Sequence, residues 1–409
     1  MIYNLAIHIY AGAVRMAAPF NKKVSLMQKG EKEAFAILEK NIIKGEKYLW
    51  FHAASLGEFE QGRPLIEEIK RNYPQYKVLQ TFFSPSGYEV RKNYKGADIT
   101  CYLPLDTPHN ARRFIELAQP YMAFFIKYEF WTNYLNELHR RHIPTYSVSS
   151  IFREDQIFFK WYGRKYSKVL HTFTHLFVQN RISVELLKKI GVNNITIVGD
   201  TRFDRVIEIY KRAKELPLVE KFKSDAFTLI AGSSWEPDEN IFIPYFNSHP
   251  ELKLIIAPHV IDESHLKSIT EKITRKVVRY TQADEKTIAE ADCLIIDCFG
   301  LLSSIYRYGE IAYIGGGFGV GIHNVLEAAV YGMPVVFGPN NRKFREALGL
   351  LACEGGFEIH DKEDFKELAD RLITNKEFLK ETGKSAYTYV RENAGALKKI
   401  MEKISEKLQ

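Results

Sequence analysis

From about residue 47 the chain alternates short apolar or β-rich runs with stretches whose apolar residues recur at helical spacing. The runs are Tyr48–His52, Val78–Phe83, Thr100–Leu103, Met122–Ile126, Thr145–Val148, Leu176–Val178 and Ile195–Val198. Between them lie segments such as Pro64–Lys70, where Leu65, Ile66 and Ile69 share one helical face. Strands alternating with helices over this length predict a parallel sheet covered on both sides. The rhythm then restarts at Thr228–Ala231, Leu252–Ala257, Val277–Tyr280, Cys293–Ile296, Ile311–Ile314 and Pro334–Phe337. Ile207–Lys223, between the two sets, is charged, contains Pro217 and reads as a linker. The pattern therefore predicts an α/β protein of two Rossmann-like doubly wound halves facing a central cleft. Ligands of such sheets bind beyond the carboxyl ends of the strands, so chemistry is sought directly after each run.

The first residues follow a different pattern. Met1–Phe20 is apolar apart from interruptions such as Asn4, His8 and Arg15, and Lys22, Lys23, Lys29 and Lys32 follow. No run of about 18 uninterrupted apolar residues occurs, which argues against a spanning helix. A cleaved leader would carry its positive charge before the apolar stretch, and here most of it comes after. Two readings stay open: a helix lying in a membrane interface against anionic lipid, or a first helix packed on the protein's own core. With 46% hydrophobic residues among 409, the chain can fill two cores. Its 57 basic and 50 acidic residues leave a net charge of +7, a mild bias compatible with anionic lipid or phosphate. The basic residues are dispersed, so no nucleic-acid stripe is indicated. Cys101, Cys293, Cys298 and Cys353 form no metal-ligand spacing, which points to a reducing compartment without structural zinc.

Several motifs sit directly after apolar runs. In Phe51–Gln61 (FHAASLGEFEQ), small residues allow a tight loop, and Glu58 projects from it or from the first helical turn. Such a carboxylate can serve as a general base, or can merely complement the helix dipole. Ile126–Asn133 (IKYEFWTN) places Glu129 at another strand-to-helix junction, with Trp131 and Asn133 beyond it. Tyr313–Pro339 follows a strand with glycines 315–317, 319 and 321, ahead of a helix expected to begin near His323-Asn324. That arrangement clears space for a phosphate at a helix N-terminus, with Glu327 one turn later placed for a ribose. It is neither a Walker loop nor the dinucleotide fingerprint. Smaller pieces are GDTRFD with Arg202 and Asp204, AGSSWEPDE with Ser233, Ser234 and Glu236, and APH with His259. Ser233 and Ser234 also read as helix caps before Trp235–Asn247.

Taken in order, these pieces resemble the transferases of 3-deoxy-D-manno-oct-2-ulosonic acid (Kdo) from lipopolysaccharide biosynthesis, over about Ile42–Asn393. HAASLGE is similar to that family's H-[SA]-x-S-x-G-E, and KYEFWTN to its E-x-E-[LF]-W-x-N. GDTRFD is similar to G-[SD]-x-[KR]-F-D, and GGGFGVGIHNVLEAA to G-G-S-x…G-G-H-N-x-L-E-[AP]-A. The resemblance implies a GT-B fold that transfers Kdo from CMP-Kdo to lipid A precursor (lipid IVA) at the cytoplasmic face of the inner membrane. It implies inversion at the sugar carbon, and the donor is the only small molecule the reaction calls for. No cofactor is expected, and the lack of a DxD motif at a suitable strand end predicts metal independence.

Carried over by motif, Glu58 matches the proton acceptor and Glu129 the second acid of the acceptor side. Asn324, Val325, Leu326 and Glu327 match the segment that holds CMP, as do Pro258-His259 and Phe299-Gly300-Leu301 less closely. Arg202 and Ser233 complete the expected donor contacts. The family often has Pro-Arg at Pro258-His259, Gly-Glu at Gly300-Leu301, and a first glutamate at Lys127. The boundaries expected are a membrane-interface segment over 1–30, an acceptor domain over 31–206 and a linker over 207–223. A nucleotide-sugar domain over 224–385 and a C-terminal helix over 386–409 complete them. Rival readings are a nucleotide-sugar 2-epimerase, another membrane-associated transferase of this fold, or a non-catalytic membrane-surface protein.

Overall fold

Every apolar run of the first set forms a strand. In the computed structural model, which describes residues 2–409, these are β1 (Tyr48–Ala53), β2 (Lys77–Phe82), β3 (Ile99–Tyr102), β4 (Pro120–Ile126), β5 (Thr145–Ser150), β6 (His175–Val178) and β7 (Ile195–Ile197). They pair in parallel in the order β3-β2-β1-β4-β5-β6-β7. The second set gives β8 (Phe227–Ser234), β9 (Leu252–Pro258), β10 (Val277–Arg279), β11 (Cys293–Ile295), β12 (Ile311–Ile314) and β13 (Val335–Phe337). A short β14 (Gly356–Glu358), which no apolar run announces, completes the order β10-β11-β9-β8-β12-β13-β14, again all parallel. Continuous apolar runs are what strands buried on both faces require, and every residue of β1 is buried.

The chain divides into two units, Met1–Asp204 with Ala394–Gln409, and Arg205–Asn393. Two expected boundaries change. Most of the 207–223 stretch is helical, in Thr201–Lys211 and Pro217–Lys223. Pro217 stands in the first turn, where its missing N–H costs nothing, so it starts a helix instead of breaking one. Val219 and Phe222 bury that helix against the second unit. The C-terminal segment also divides later than residue 386: one helix runs Lys376–Glu392 and another Ala396–Leu408. The last helix returns to the first unit, where Ala396, Ile400, Ile404 and Leu408 join the core beside β1 and β4. Asp204 fixes its start by accepting N–H bonds from Gly395 (2.9 Å) and Ala396 (3.0 Å).

The N-terminal segment forms α1 (Ile2–Ala17) and α2 (Lys22–Asn41). Val14 and Ala18 are buried, whereas Leu5, Ile9, Met16 and Phe20 are exposed. The Tyr3 hydroxyl donates to Asp106 (2.6 Å), which also accepts the backbone N–H groups of Asn133 and Tyr134 (3.0 Å each). One face of α1 is thus docked on its own unit while an apolar face stays open. Among the described residues no helix is long and apolar enough to cross a membrane.

Candidate active site

In the first sheet the strand order turns at the β1–β4 pair, and in the second at β8–β12. The carboxyl ends of those strands are where such sheets take ligands. The motifs fall there: Ala54–Glu58 follows β1, Lys127–Trp131 follows β4, Ser233 lies at the end of β8 with Trp235 just beyond it, and the glycine loop follows β12. Lys127 and Ser233 also adopt positive φ, at 67° and 54°, a strained geometry concentrated at working sites.

In the first unit, helix α3 (Leu56–Asn72) begins immediately after this loop, and Glu58 lies in its first turn. Its carboxylate accepts N–H bonds from Ala54 (2.8 Å) and Ser55 (3.2 Å). Both bonds fall on Oε2, so the side chain caps the helix and still presents Oε1. Burial pushes the Glu58 carboxyl up to about 7, and the neighbouring charge of Glu129 adds to the rise. The N–H bond from Ala54, the Lys127 ammonium and the N–H bond from Ser55 pull the other way. A carboxylate poised there exchanges a proton near neutral pH.

Glu129 is buried at 8% exposure, with Oε2 held by the Trp131 indole N–H and by His52 Nε2 at 3.1 Å. His52 is itself fully buried, with Nδ1 2.9 Å from the Thr81 hydroxyl, which also accepts from Trp50 Nε1 at 2.8 Å. The chain is satisfied when Thr81 donates to Nδ1 and Nε2–H donates to Glu129. Glu129 is therefore an oriented carboxylate with Oε1 unengaged. Sequence reading passed over His52 and Thr81 because burial of a polar side chain leaves no trace in an apolar run. The order of HAASLGE, with His52 closing the strand, was the available signal.

GDTRFD performs a different task. Asp200 accepts from Gln61 (3.1 Å), Gln179 (3.2 Å) and Arg202 (2.8 Å), and Asp204 caps the last helix. Arg202 belongs to the first unit, where it is ion-paired to Asp200.

In the second unit the glycine loop packs too tightly for side chains. Gly316 has φ +92°, and a Cβ there would lie 2.3 Å from the Gly321 carbonyl; one on Gly317 would lie 2.4 Å from the Gly338 nitrogen. Buried Asp238 pins this loop by accepting from Gly316 N (2.9 Å), Trp235 N (2.9 Å) and Tyr313 Oη (3.2 Å). Asp238 was not singled out in the sequence, although an acid three residues after an N-cap position can reach back to the N-cap backbone N–H. Ser233 and Ser234 are not caps; they belong to β8, and Trp235 holds the N-cap position of helix Glu236–Ser248. Ser234 donates to Glu239 (3.0 Å).

The helix expected near His323 is a single turn, Leu326–Ala329, preceded by Val325. Asn324 caps it through Leu326 N (3.2 Å) and donates to Glu327 (2.9 Å). So short a helix offers little macrodipole, and anion binding must fall to loop N–H groups and nearby rings. Those rings form a stack. Trp235 lies 4.7 Å from His259, which lies 4.4 Å from His323, between ring centroids. Trp235 Nε1 donates to His323 Nε2 at 3.0 Å, which leaves Nδ1–H as that ring's donor. Burial lowers the His323 pKa to about 4, with His259 contributing, so the ring is neutral. Pro258 ends β9; Phe299 is 82% exposed, and Gly300 (φ 89°) and Leu301 follow it after β11.

Two doubly wound parallel sheets, one in each unit, are the plan of the GT-B fold. Solved structures agree: UDP-GlcNAc 2-epimerase from Neisseria meningitidis superposes with a TM-score of 0.62 at 15% identity, over 88% of this chain and 100% of that one. Residues 28–205 match the family model of 3-deoxy-D-manno-octulosonic-acid transferase (kdotransferase). The 3-deoxy-D-manno-octulosonic acid transferase of Aquifex aeolicus is 29% identical over 82% of this chain and 89% of its own length. That of Haemophilus influenzae is 25% identical over 88% and 87%. The chain is thus similar to this transferase family, through the family model over residues 28–205 and through relatives along most of its length, a likeness that supports a glycosyltransferase of lipopolysaccharide biosynthesis.

Proposed function

We propose that the chain transfers Kdo from CMP-Kdo to a sugar hydroxyl of a lipid A precursor, lipid IVA, with inversion. The observation that carries this reading is Glu58, a carboxyl raised to about 7 at the switch point of the first sheet. In the proposed step the acceptor hydroxyl oxygen forms a bond to the anomeric carbon, and its proton passes to Glu58. The bond from that carbon to the CMP phosphate breaks, and CMP leaves with the electron pair. Charge builds up through an oxocarbenium-like transition state. Glu129, oriented by His52 and Trp131, binds the acceptor side. The glycine-loop N–H groups, with His259 and His323, receive the nucleotide phosphate, and Phe299–Leu301 and Asn324–Glu327 hold the rest of CMP. Nothing in the step calls for a metal or a cofactor.

The acceptor is a membrane lipid, and α1 supports action at the cytoplasmic face of the inner membrane. Leu5, Ile9, Met16 and Phe20 are 62%, 66%, 73% and 92% exposed, with Arg15, Lys22 and Lys23 nearby in sequence. Such a helix suits an interface with anionic lipid. Incubation with CMP-Kdo and lipid IVA, followed by mass analysis of the lipid and the nucleotide, tests the proposal. CMP release with Kdo added to the lipid is expected. Rearrangement of a nucleotide sugar with no lipid product would favour an epimerase and overturn it.

A further inference from the structure

A second exposed surface lies next to α1 and takes no part in the loops at the switch points. After β5 the chain runs through two turns, Ile157–Phe159 and Trp161–Gly163, into a short helical segment ending near Lys168. Ile157, Trp161 and Tyr162 are 44%, 85% and 62% exposed. From Ile157 to Lys168 the charged residues are Lys160, Arg164, Lys165 and Lys168, with no acid among them. None of these cations forms an ion pair among the described residues; the exposed acids Glu154 and Asp155 precede the segment. Large exposed aromatic rings interleaved with unpaired cations suit neither a protein core nor open water.

The segment presents these rings on a rigid base. Phe158 is buried and stacks on Tyr166 at 5.1 Å and 8°. Gly163 is buried so closely that a Cβ would lie 1.6 Å from the Ile157 carbonyl. Tyr166 also meets Tyr3 of α1, with ring centroids 5.9 Å apart, so the segment adjoins the helix with the open apolar face.

We propose that Ile157–Lys168 is a second bilayer contact, with the Trp161 and Tyr162 rings among lipid headgroups and Lys160, Arg164 and Lys165 on anionic phosphates. Tryptophan and tyrosine favour that depth because one edge is apolar and the other wet. The inference rests on the reading that α1 meets a membrane, and adds a partner surface that fixes the unit's orientation on it.

The test uses the full chain and phosphatidylcholine vesicles with or without phosphatidylglycerol, some carrying bromines on the upper acyl chain. Wild type should float with phosphatidylglycerol vesicles and lose tryptophan fluorescence to the bromines. Trp161→Phe should still float but lose most of that quenching. Replacing Lys160, Arg164 and Lys165 together by Gln should weaken binding about tenfold or more. Flotation with equal quenching in wild type and Trp161→Phe, and unchanged affinity in the Gln variant, would overturn this contact while leaving the α1 reading intact. Failure of wild type to float on either vesicle would overturn both. Trp161, Arg164 and Lys165 are exposed and Lys160 is half-buried, so circular dichroism should show the variants folded.

Discussion

The two switch points share a backbone plan and differ in chemistry. After β1 and β4 the chain places two carboxylates, one half-buried and capping a helix, the other buried and held by His52 and Trp131. After β8, β9 and β12 it places glycines, a buried aspartate that pins their loop, and a stack of three neutral rings. The first arrangement stores a proton acceptor near neutral pH. The second offers loop N–H donors, which suit the phosphate that the proposed donor would bring. Doubly wound topology therefore supplies the position of a site, and the side chains at the strand ends decide its chemistry.

The largest effect that could break this contrast comes from Glu58→Gln. Transfer should fall by about 10²–10⁴-fold, while CMP affinity measured by calorimetry stays the same. The amide can still accept the Ala54 and Ser55 N–H bonds, so the cap survives. Because burial raises the wild-type carboxyl from 4.5 to about 7, its contribution to folding is full below 4.5 and is lost as pH rises through 7. At pH above 7 the variant should therefore melt no lower than wild type. A variant that loses activity and stability together would make Glu58 a cap alone.

How far the sequence discloses this contrast depends on the range of the contacts involved. Strand positions follow from apolar or β-rich runs, since strands buried on both faces of a parallel sheet are mostly apolar. β14, three residues long, carries no such run. The return of Ala396–Leu408 to the first unit is set by contacts nearly the whole chain apart, such as the Tyr76 hydroxyl on the Leu408 carbonyl. The places of Glu58 and Glu129 were legible from motif order, whereas the support of Glu129 by His52, backed by Thr81 and Trp50, arises only when β1 pairs with β2 and β4. The glycine loop was legible as a loop, but its helix was overestimated: after Asn324 the chain completes only one turn before Gly332 ends it with φ +77°.

A smaller effect sharpens the other half. Trp235→Phe removes the indole N–H that holds His323 in one tautomer, and CMP affinity should fall about tenfold, the worth of one hydrogen bond to a charged group. Glu58 chemistry should be unaffected once donor is saturating, so the loss appears in KM for the donor. The smallest effect lies outside both sites. Asp204→Ala uncaps the helix Ala396–Leu408 and should cost about 1 kcal/mol of stability in urea denaturation, with the transfer rate at saturating substrate unchanged. Together these separate the proposed proton acceptor, the proposed nucleotide cradle and a structural cap, three parts that the motifs present as one series.

The account stands most directly on the pH dependence of kcat/KM for transfer by the wild-type chain. With Glu58 as the base, the rate should rise with pH, pass half its maximum near 7 and level off above. In Glu58→Gln the residual rate should lose that inflection. A wild-type profile that is flat through 7, or one whose inflection survives in Glu58→Gln, would contradict it.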